Sequence, residues 1–400
     1  MSKAERLLWF VSTIEDTRFL KAFYGSYEGA IDVVHLNLLT RISLIGFEAN
    51  HYIPLNKYAN KTVNPDVSKI FNLLSGRLNQ DETLLAYQSV WGLLDIFKTK
   101  YNNSVFVIPS GRHVHHVAAT DFAKSRKTKR LYINYSNFPG YTFFDPEGTD
   151  CLASIYKRPD LLDEMYPEPI DARRVFSKFY ELKKNQSTIP QASSGGLNQI
   201  LKKLAFSLDT IMQKLIGYVG DRRLTLSAGF AKKNTGDFFE YDEVDLSNRF
   251  MFFPMQVSTD QQVLVNYKGG SIEKALEEAL SLAQSKNLVL YVREHPAEAN
   301  RDKVRKKLEE MRQSYTDIRV VSQSVSELIE HSVEIVTINS TVGLECRLAG
   351  KPVSFLGDSF YEKASDMQLA KYLDRYLVEV DYHKSIVSDN DINKILKLLR

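Results

Sequence analysis

Short apolar runs alternate with amphipathic stretches along the chain, in two blocks. In the first block, residues 7–11 and 31–39 are apolar segments with strand character. Residues 105–108 form a short apolar run ending at Pro109-Ser110-Gly111, and 131–134 form another. Between them, 81–98 has helical spacing, with Leu84, Leu85, Val90, Leu93, Leu94 and Phe97 on one face. The second block opens at Phe250. It predicts strands at 251–256, 288–292, 318–321, 333–338 and 353–356. Helices are predicted at 271–283, 301–312 and 325–330, and another ends at Gly350. Residues 186–196, rich in Ser, Gln, Pro and Gly, read as a loop. Residues 197–218 read as a long amphipathic helix, and 232–248 as a polar, acidic connection.

Alternation of strand and helix implies parallel sheets with crossover helices. The expected fold is therefore α/β and GT-B-like: two doubly wound Rossmann-type domains with a ligand cleft between them. The boundary falls at the polar connection, giving an N-terminal α/β domain at 1–248 and a C-terminal α/β domain at 249–400. A chain of 400 residues fits two such cores.

Composition narrows the function. A net charge of +3 argues against a general nucleic-acid binder. The positive charge is uneven, with Lys124, Arg126, Lys127, Lys129 and Arg130 inside seven residues. This cluster is either a solvated loop or a patch for anionic lipid or an anionic acceptor. Cys151 and Cys346 offer neither a disulfide framework nor metal-ligand spacing. The first residues lack the apolar length of a signal peptide or a membrane span. A cytoplasmic protein is expected, with peripheral association at the inner face of the cytoplasmic membrane as an option.

The candidate chemistry sits where strands end. The run 333–338 leads into Asn339-Ser340-Thr341 and then a helix. Small hydroxyl residues at such a corner place donors and unpaired N–H groups where an anion can sit, although Ser340 alone reads as an N-cap. The run 288–292 ends in Arg293-Glu294-His295-Pro296, and a third strand end carries Gln256 and Asp260. Together these corners indicate a nucleotide-phosphate site. No strand ends in a metal-holding Asp-x-Asp, and no Walker loop or dinucleotide fingerprint occurs. Asp242-Glu243-Val244-Asp245 reads as a solvated face. His113, His115 and His116 have awkward spacing for a metal on one helix. No metal and no cofactor are expected, so leaving-group charge falls to Ser340, Thr341, Arg293 or His295. Arg112, after Gly111 at a strand end, reads as a surface arginine or, alternatively, as a bidentate contact for a carboxylate or phosphate.

These pieces resemble the capsule polysaccharide synthesis family, bacterial β-Kdo transferases that use CMP-Kdo. The resemblance rests on Pro254-Met255-Gln256-Val257 with Asp260, His295-Pro296, and Ser340-Thr341 with Gly343 and Glu345. Gly350-Lys351-Pro352-Val353 and Gly357-Asp358-Ser359-Phe360-Tyr361 complete it. The His-Pro and Ser-Thr pair is also similar to that of bacterial sialyltransferases. The resemblance implies that His295, Ser340 and Thr341 bind the CMP phosphate and that Glu345 takes the ribose hydroxyls. It implies β-transfer with retention, hence a carboxylate nucleophile and an acid/base group. Asp221 is the candidate nucleophile, with a helix-end salt bridge to Arg222 or Arg223 as its plain alternative. Glu147 in Asp145-Pro146-Glu147-Gly148 is the candidate acid/base, with a turn as its alternative. The family's Glu-Asp-Gly-Phe element is absent after 131–134, where Tyr135-Ser136-Asn137-Phe138-Pro139-Gly140 follows. Arg112 or Arg293 would meet the Kdo carboxylate. The acceptor is a glycan or a lipid-linked chain in capsule or O-antigen synthesis. Rival readings are a sialyltransferase or glycerol-phosphate transferase of GT-B fold, and a non-catalytic capsule-assembly partner.

Overall fold

The computed structural model describes residues 5–184, 197–221, 239–298, 300–382 and 387–398. The chain forms two compact units, and neither is continuous in sequence. Unit 1 holds residues 1–167, 193–229 and 371–400; unit 2 holds 168–192 and 230–370.

Unit 1 opens with β1 (Arg6–Val11), whose last five residues are buried. Thr13 then starts α1 (Ile14–Tyr24) with a capping box. Its hydroxyl accepts the Asp16 N–H at 3.0 Å, and the Asp16 carboxylate accepts the Thr13 N–H at 2.8 Å. Next come β2 (Ile31–His35), α2 (Leu38–Ser43) and β3 (Asn50–Tyr52). Helix α3 (Gln80–Lys100) leads to β4 (Ser104–Pro109). Helix α4 (Val114–Ser125), β5 (Arg130–Tyr135) and β6 (Thr142–Asp145) complete the sheet. Its order is β3-β2-β1-β4-β5-β6, parallel except for β6 against β5. Phe10, Phe106, Phe97 and Phe122 fill one face, and Trp9, Phe19, Phe23 and Phe144 the other.

The chain next supplies α5 (Ala172–Lys184) to unit 2 and α6 (Leu197–Ile216) to unit 1. Unit 2 then builds β7 (Phe250–Pro254), α7 (Ile272–Ser285), β8 (Val289–Arg293), α8 (Arg301–Ser314) and β9 (Ile318–Val320). It continues with β10 (Glu334–Thr337), α9 (Thr341–Leu348) and β11 (Val353–Phe355). The order is β11-β10-β7-β8-β9, all parallel. Helix α7 buries Ile272, Ala275, Leu276, Ala279, Leu280 and Ala283, the i, i+3, i+4, i+7 stripe of a helix on a sheet.

The expected division at 248/249 is corrected at both ends. The last thirty residues return to unit 1. Val378 exchanges backbone hydrogen bonds with Thr142 at 2.9 and 3.0 Å. Tyr382 stacks on Phe19 and donates to Asp16 Oδ1 at 2.6 Å. Helix α10 (Asp389–Lys397) buries Ile392 and Ile395 in the same cluster. Periodicity marks a helix but not the core that receives it. The acidic stretch at 242–245 is also tied down in part: Asp242 pairs with Arg312 at 2.8 Å and accepts the Val320 N–H at 2.6 Å. The loop predicted at 186–196 lies outside the described residues.

Replacing Ile395 by Ala should destabilise unit 1 by about 2–5 kcal/mol through the cavity it leaves. In denaturant titration followed by hydrogen exchange, amides of β1 and β4 should open earlier while those of β7 and β8 keep their protection.

Candidate functional site

In unit 2 the chain winds from β7 outward through β8 to β9, then returns to the other side of β7 with β10 and β11. The winding reverses between β7 and β10. A crevice opens at the carboxyl edge of such a reversal, because the connections leave in opposite directions. Two of the three predicted corners flank it, and the third leaves the next strand. Gln256 follows β7, Asn339-Ser340-Thr341 follow β10, and His295 follows β8.

Asn339 binds the corners together. Its N–H donates to Gln256 Oε1 at 3.2 Å, its Nδ2 donates to Gln262 Oε1 at 3.0 Å, and its Oδ1 accepts from Ser359 Oγ at 2.8 Å. Ser340 is the N-cap of α9, accepting the Val342 N–H at 2.9 Å. Its hydroxyl keeps its own proton to donate. Gly343 is required where α9 crosses the sheet: an added Cβ would lie 2.5 Å from the Phe355 ring and 2.9 Å from Thr337 Cγ2.

His295 Nδ1 accepts the Ala297 N–H at 3.1 Å, so the neutral ring carries its proton on Nε2 as a donor. Burial lowers the His295 pKa, opposed by the negative charges of Asp260 and Glu298. Burial raises the Asp260 pKa, opposed by the N–H of Gln262 and by His295. Glu298 was not anticipated from sequence. It is buried, accepts the Ser258 N–H at 2.7 Å and hydroxyl at 2.9 Å, and so clamps the exit of β8 to that of β7. Arg293 and His295 line a pocket with Tyr241, Glu294, Arg301 and Ser322. Glu345 lies on α9 and faces Lys183 of α5, 3.8 Å away; burial raises its pKa.

Unit 1 repeats the geometry. Its winding reverses between β1 and β4. Ser12 follows β1, and Ser110 and Gly111 follow β4, both with positive φ (64° and 74°). His113 is the N-cap residue of α4. Asp221 reaches this edge from the far end of α6: its N–H donates to Leu36 O at 2.7 Å, and its carboxylate is fully buried. Oδ1 lies 3.0 Å from His113 Nδ1 and accepts from Asn72 Nδ2 at 3.3 Å. Asn72 Oδ1 in turn accepts the Val114 N–H at 2.8 Å. His116 Nε2 is 3.3 Å from Ser12 Oγ, and His115 Nε2 donates to Val219 O at 2.7 Å. The three histidines thus take separate partners. The alternative partners of Asp221, Arg222 and Arg223, lie outside the described residues.

Arg112 is buried, with Nη2 directed at Thr149 O (3.4 Å) and Cys151 Sγ (3.1 Å), and so braces the loop after β6. Asp145 is sealed in that loop. Its carboxylate accepts N–H groups of Glu147, Gly148 and Ser154 and hydroxyls of Ser154 and Tyr376. The turn reading of Asp-Pro-Glu-Gly therefore holds for Asp145. Glu147 stays half-exposed, 2.7 Å from Lys157 Nζ, in a pocket shared with Lys124 and Arg130. The rest of the basic cluster is partly neutralised, Arg126 by Asp95 and Lys129 by Glu5. Among the described residues, no group of three or more His, Cys, Asp or Glu is arranged to hold a metal ion. No described helix is long and apolar enough to cross a membrane.

Two doubly wound, parallel-rich α/β units with polar corners at their carboxyl edges define the GT-B-like class. Residues 224–366 match the model of the family described as capsule polysaccharide biosynthesis protein. This stretch holds all three corners of unit 2. Protein FixF of Sinorhizobium fredii is 31% identical over 125 residues, 30% of this chain and 30% of that protein. The match spans under a third of that relative's length. Among solved structures, the Thermosulfurimonas dismutans KpsC β-Kdo 2,7 transferase aligns over 99% of both chains at 11% identity and a TM-score of 0.43. The KpsC β-Kdo 2,4 transferase of the same organism aligns over 74% of this chain and 87% of its own, at 15% identity and a TM-score of 0.35.

One strand from the β1 edge, His35 is sealed between Thr40 Oγ1 (3.0 Å) and His51 Nδ1 (2.8 Å). Burial, with the charges of His51 and Arg41, lowers its pKa to about 3. The unfolded chain therefore binds up to one proton more than the native state between about pH 3 and pH ~6.5. Stability from this site is full above that pH and is lost as pH falls toward 3, by up to about 1.4 kcal/mol per pH unit. Acid titration of folding should show this limb, and His35→Gln should flatten it.

Proposed function

We propose that the protein is a glycosyltransferase moving Kdo from CMP-Kdo, with retention, to a glycan or lipid-linked acceptor in bacterial surface polysaccharide synthesis. The observation that carries this reading is the corner set of unit 2. Gln256, His295 and Ser340-Thr341 leave three adjacent parallel strands at one edge, inside the stretch that matches the capsule family. The Ser340 hydroxyl, the Thr341 hydroxyl and the Nε2–H of neutral His295 supply donors for the CMP phosphate. Helix α9 adds the partial positive charge of its N-terminus. Arg293, in the same pocket as His295, is the group for an acidic sugar's carboxylate. Arg112 is less suited, since it is committed to the loop after β6. Glu345 is placed for the ribose hydroxyls once it exchanges its contact with Lys183. The reading calls for no metal and no cofactor.

In this scheme the Asp221 carboxylate attacks the anomeric carbon as the bond to CMP breaks, forming a glycosyl ester. The acceptor oxygen then displaces the carboxylate, and Glu147 takes the hydroxyl proton. Asn72 and His113 fix the Asp221 rotamer before attack. Because the carboxylate is enclosed, donor binding must be coupled to an opening of that shell, and the opening contributes to the barrier.

His295→Ala or Ser340→Ala should weaken CMP binding by about 1–3 kcal/mol, the range for hydrogen bonds to a charged group. Calorimetry on folded protein checks this, and unchanged affinity in both variants removes the donor site. Intact-mass spectrometry after mixing with CMP-Kdo should reveal one added sugar on the peptide carrying Asp221. Asp221→Ala should lose the adduct and most turnover while keeping CMP affinity. An inverted product linkage with no adduct rules out double displacement.

A further inference from the structure

Helix α6 is amphipathic in the reverse sense. Its polar residues Asp209 and Gln213 are buried, while Leu208, Ile211, Met212, Leu215 and Ile216 are 43–75% exposed. The buried polar side is firmly anchored. Asp209 Oδ1 accepts the Leu38 N–H at 2.7 Å, and Asp209 Oδ2 accepts from Gln213 Nε2 at 2.6 Å. Gln213 Oε1 accepts the Gly220 N–H at 2.9 Å. These bonds cap the start of α2 and hold the segment that leads to Asp221, so the helix cannot roll to hide its apolar side without breaking them. The exposed residues follow i, i+3, i+4, i+7, i+8 and cover roughly 140° of the helix circumference. Helix α2, packed against α6, adds Ile42 at 62% and, just past its end, Ile45 at 74%. So many large exposed apolar residues on two adjoining elements are unusual for a surface exposed only to water.

The charges around this face select the occupant. Exposed Lys214 lies beside the apolar stripe, about 60° beyond its edge, and Arg41 sits on α2. Lys21 of α1 reaches α2, donating to Ser43 O at 2.8 Å. The acid on α6, Asp209, is buried, and Glu48 lies beyond Gly46 on the far side of Ile45. An apolar stripe fringed by cations is the composition of a helix lying in the headgroup region of an anionic bilayer. We propose that the α6–α2 face is a membrane-docking surface that seats unit 1 on an anionic lipid bilayer. The docking side is then α6–α2, not the basic cluster at 124–130. This inference stands apart from the choice of sugar donor. It adds that the acceptor is met at the membrane plane, since α2 leaves the same sheet edge to which Asp221 is tied.

The test is flotation of the full chain with vesicles of phosphatidylglycerol and phosphatidylethanolamine in equal parts, alongside vesicles of phosphatidylcholine alone. Wild type should float with the anionic vesicles. Leu208→Ser/Leu215→Ser should lower the partition coefficient by about tenfold or more, as expected from removing two large apolar groups. Ile45→Ser, on a separate element, should lower it by a smaller factor. Thermal melts establish that each variant is folded, and CMP affinity should be unchanged. No flotation of wild type, or flotation unaltered in both variants, overturns the proposal. Light scattering provides a further arm: a wild-type dimer that becomes monomeric in Leu208→Ser/Leu215→Ser would assign the face to a second copy and overturn it as well. Loss of flotation only on replacing Lys124 and Lys127 would move docking to the basic cluster, again overturning it.

Discussion

A parallel sheet packed by helices on both faces has only its edges on which to place polar chemistry. Its interior strands are almost wholly apolar, as β1 after Arg6, β4 after Ser104 and all of β7 are here. Every strand must then hand its chain to a helix or loop at the carboxyl edge, where backbone N–H groups are unpaired. Where the winding direction reverses, neighbouring connections diverge and leave a crevice. Both units contain one such reversal, β1/β4 and β7/β10, and the polar residues cluster around both. In unit 2 the cluster presents donors, the Ser340 hydroxyl and the His295 ring. In unit 1 it encloses the Asp221 side chain.

The contrast explains what was legible in the sequence. In unit 2 the corners are local: Arg293 closes β8 with His295 just after it, and Asn339 to Thr341 come just after β10, so an apolar run ending in polar residues locates them. What ties the corners together is not local. Asn339 reaches Gln256 and Gln262, and Glu298 reaches Ser258, across separations that no short motif encodes. In unit 1 the distance is greater still. Asp221 and His113 lie 108 residues apart, and nothing in either neighbourhood announces the other. The short edge strands β3 and β6 were missed because three or four residues carry too little periodicity. The division into units was misread because helix α10 looks the same whichever core receives it.

Helix α6 shows a second limit of pattern reading. The hydrophobic stripe of an amphipathic helix fixes which residues share a side, and the usual inference is that this side faces the core. That inference fails when the polar side has a better claim on the interior. Asp209 and Gln213 satisfy the backbone N–H groups of Leu38 and Gly220, donors that would otherwise be buried without partners. Leaving them unpaired costs on the order of 1–3 kcal/mol each, comparable with the burial of a leucine. The polar side can therefore win the interior even with five large apolar residues opposite.

The same bonds link the apolar face to the candidate catalytic carboxylate. Gln213 holds Gly220, the residue before Asp221, and Asp209 holds the start of α2 just beyond Leu36, whose carbonyl receives the Asp221 N–H. A displacement of α6 would thus be felt at Asp221 through two short hydrogen-bonded paths, without passing through the apolar core. A buried carboxyl group beside His113 and Asn72 is well placed only while those neighbours stay there, because a buried polar group left without partners is costly. The anchoring of α6 and the enclosure of Asp221 are therefore one structural element.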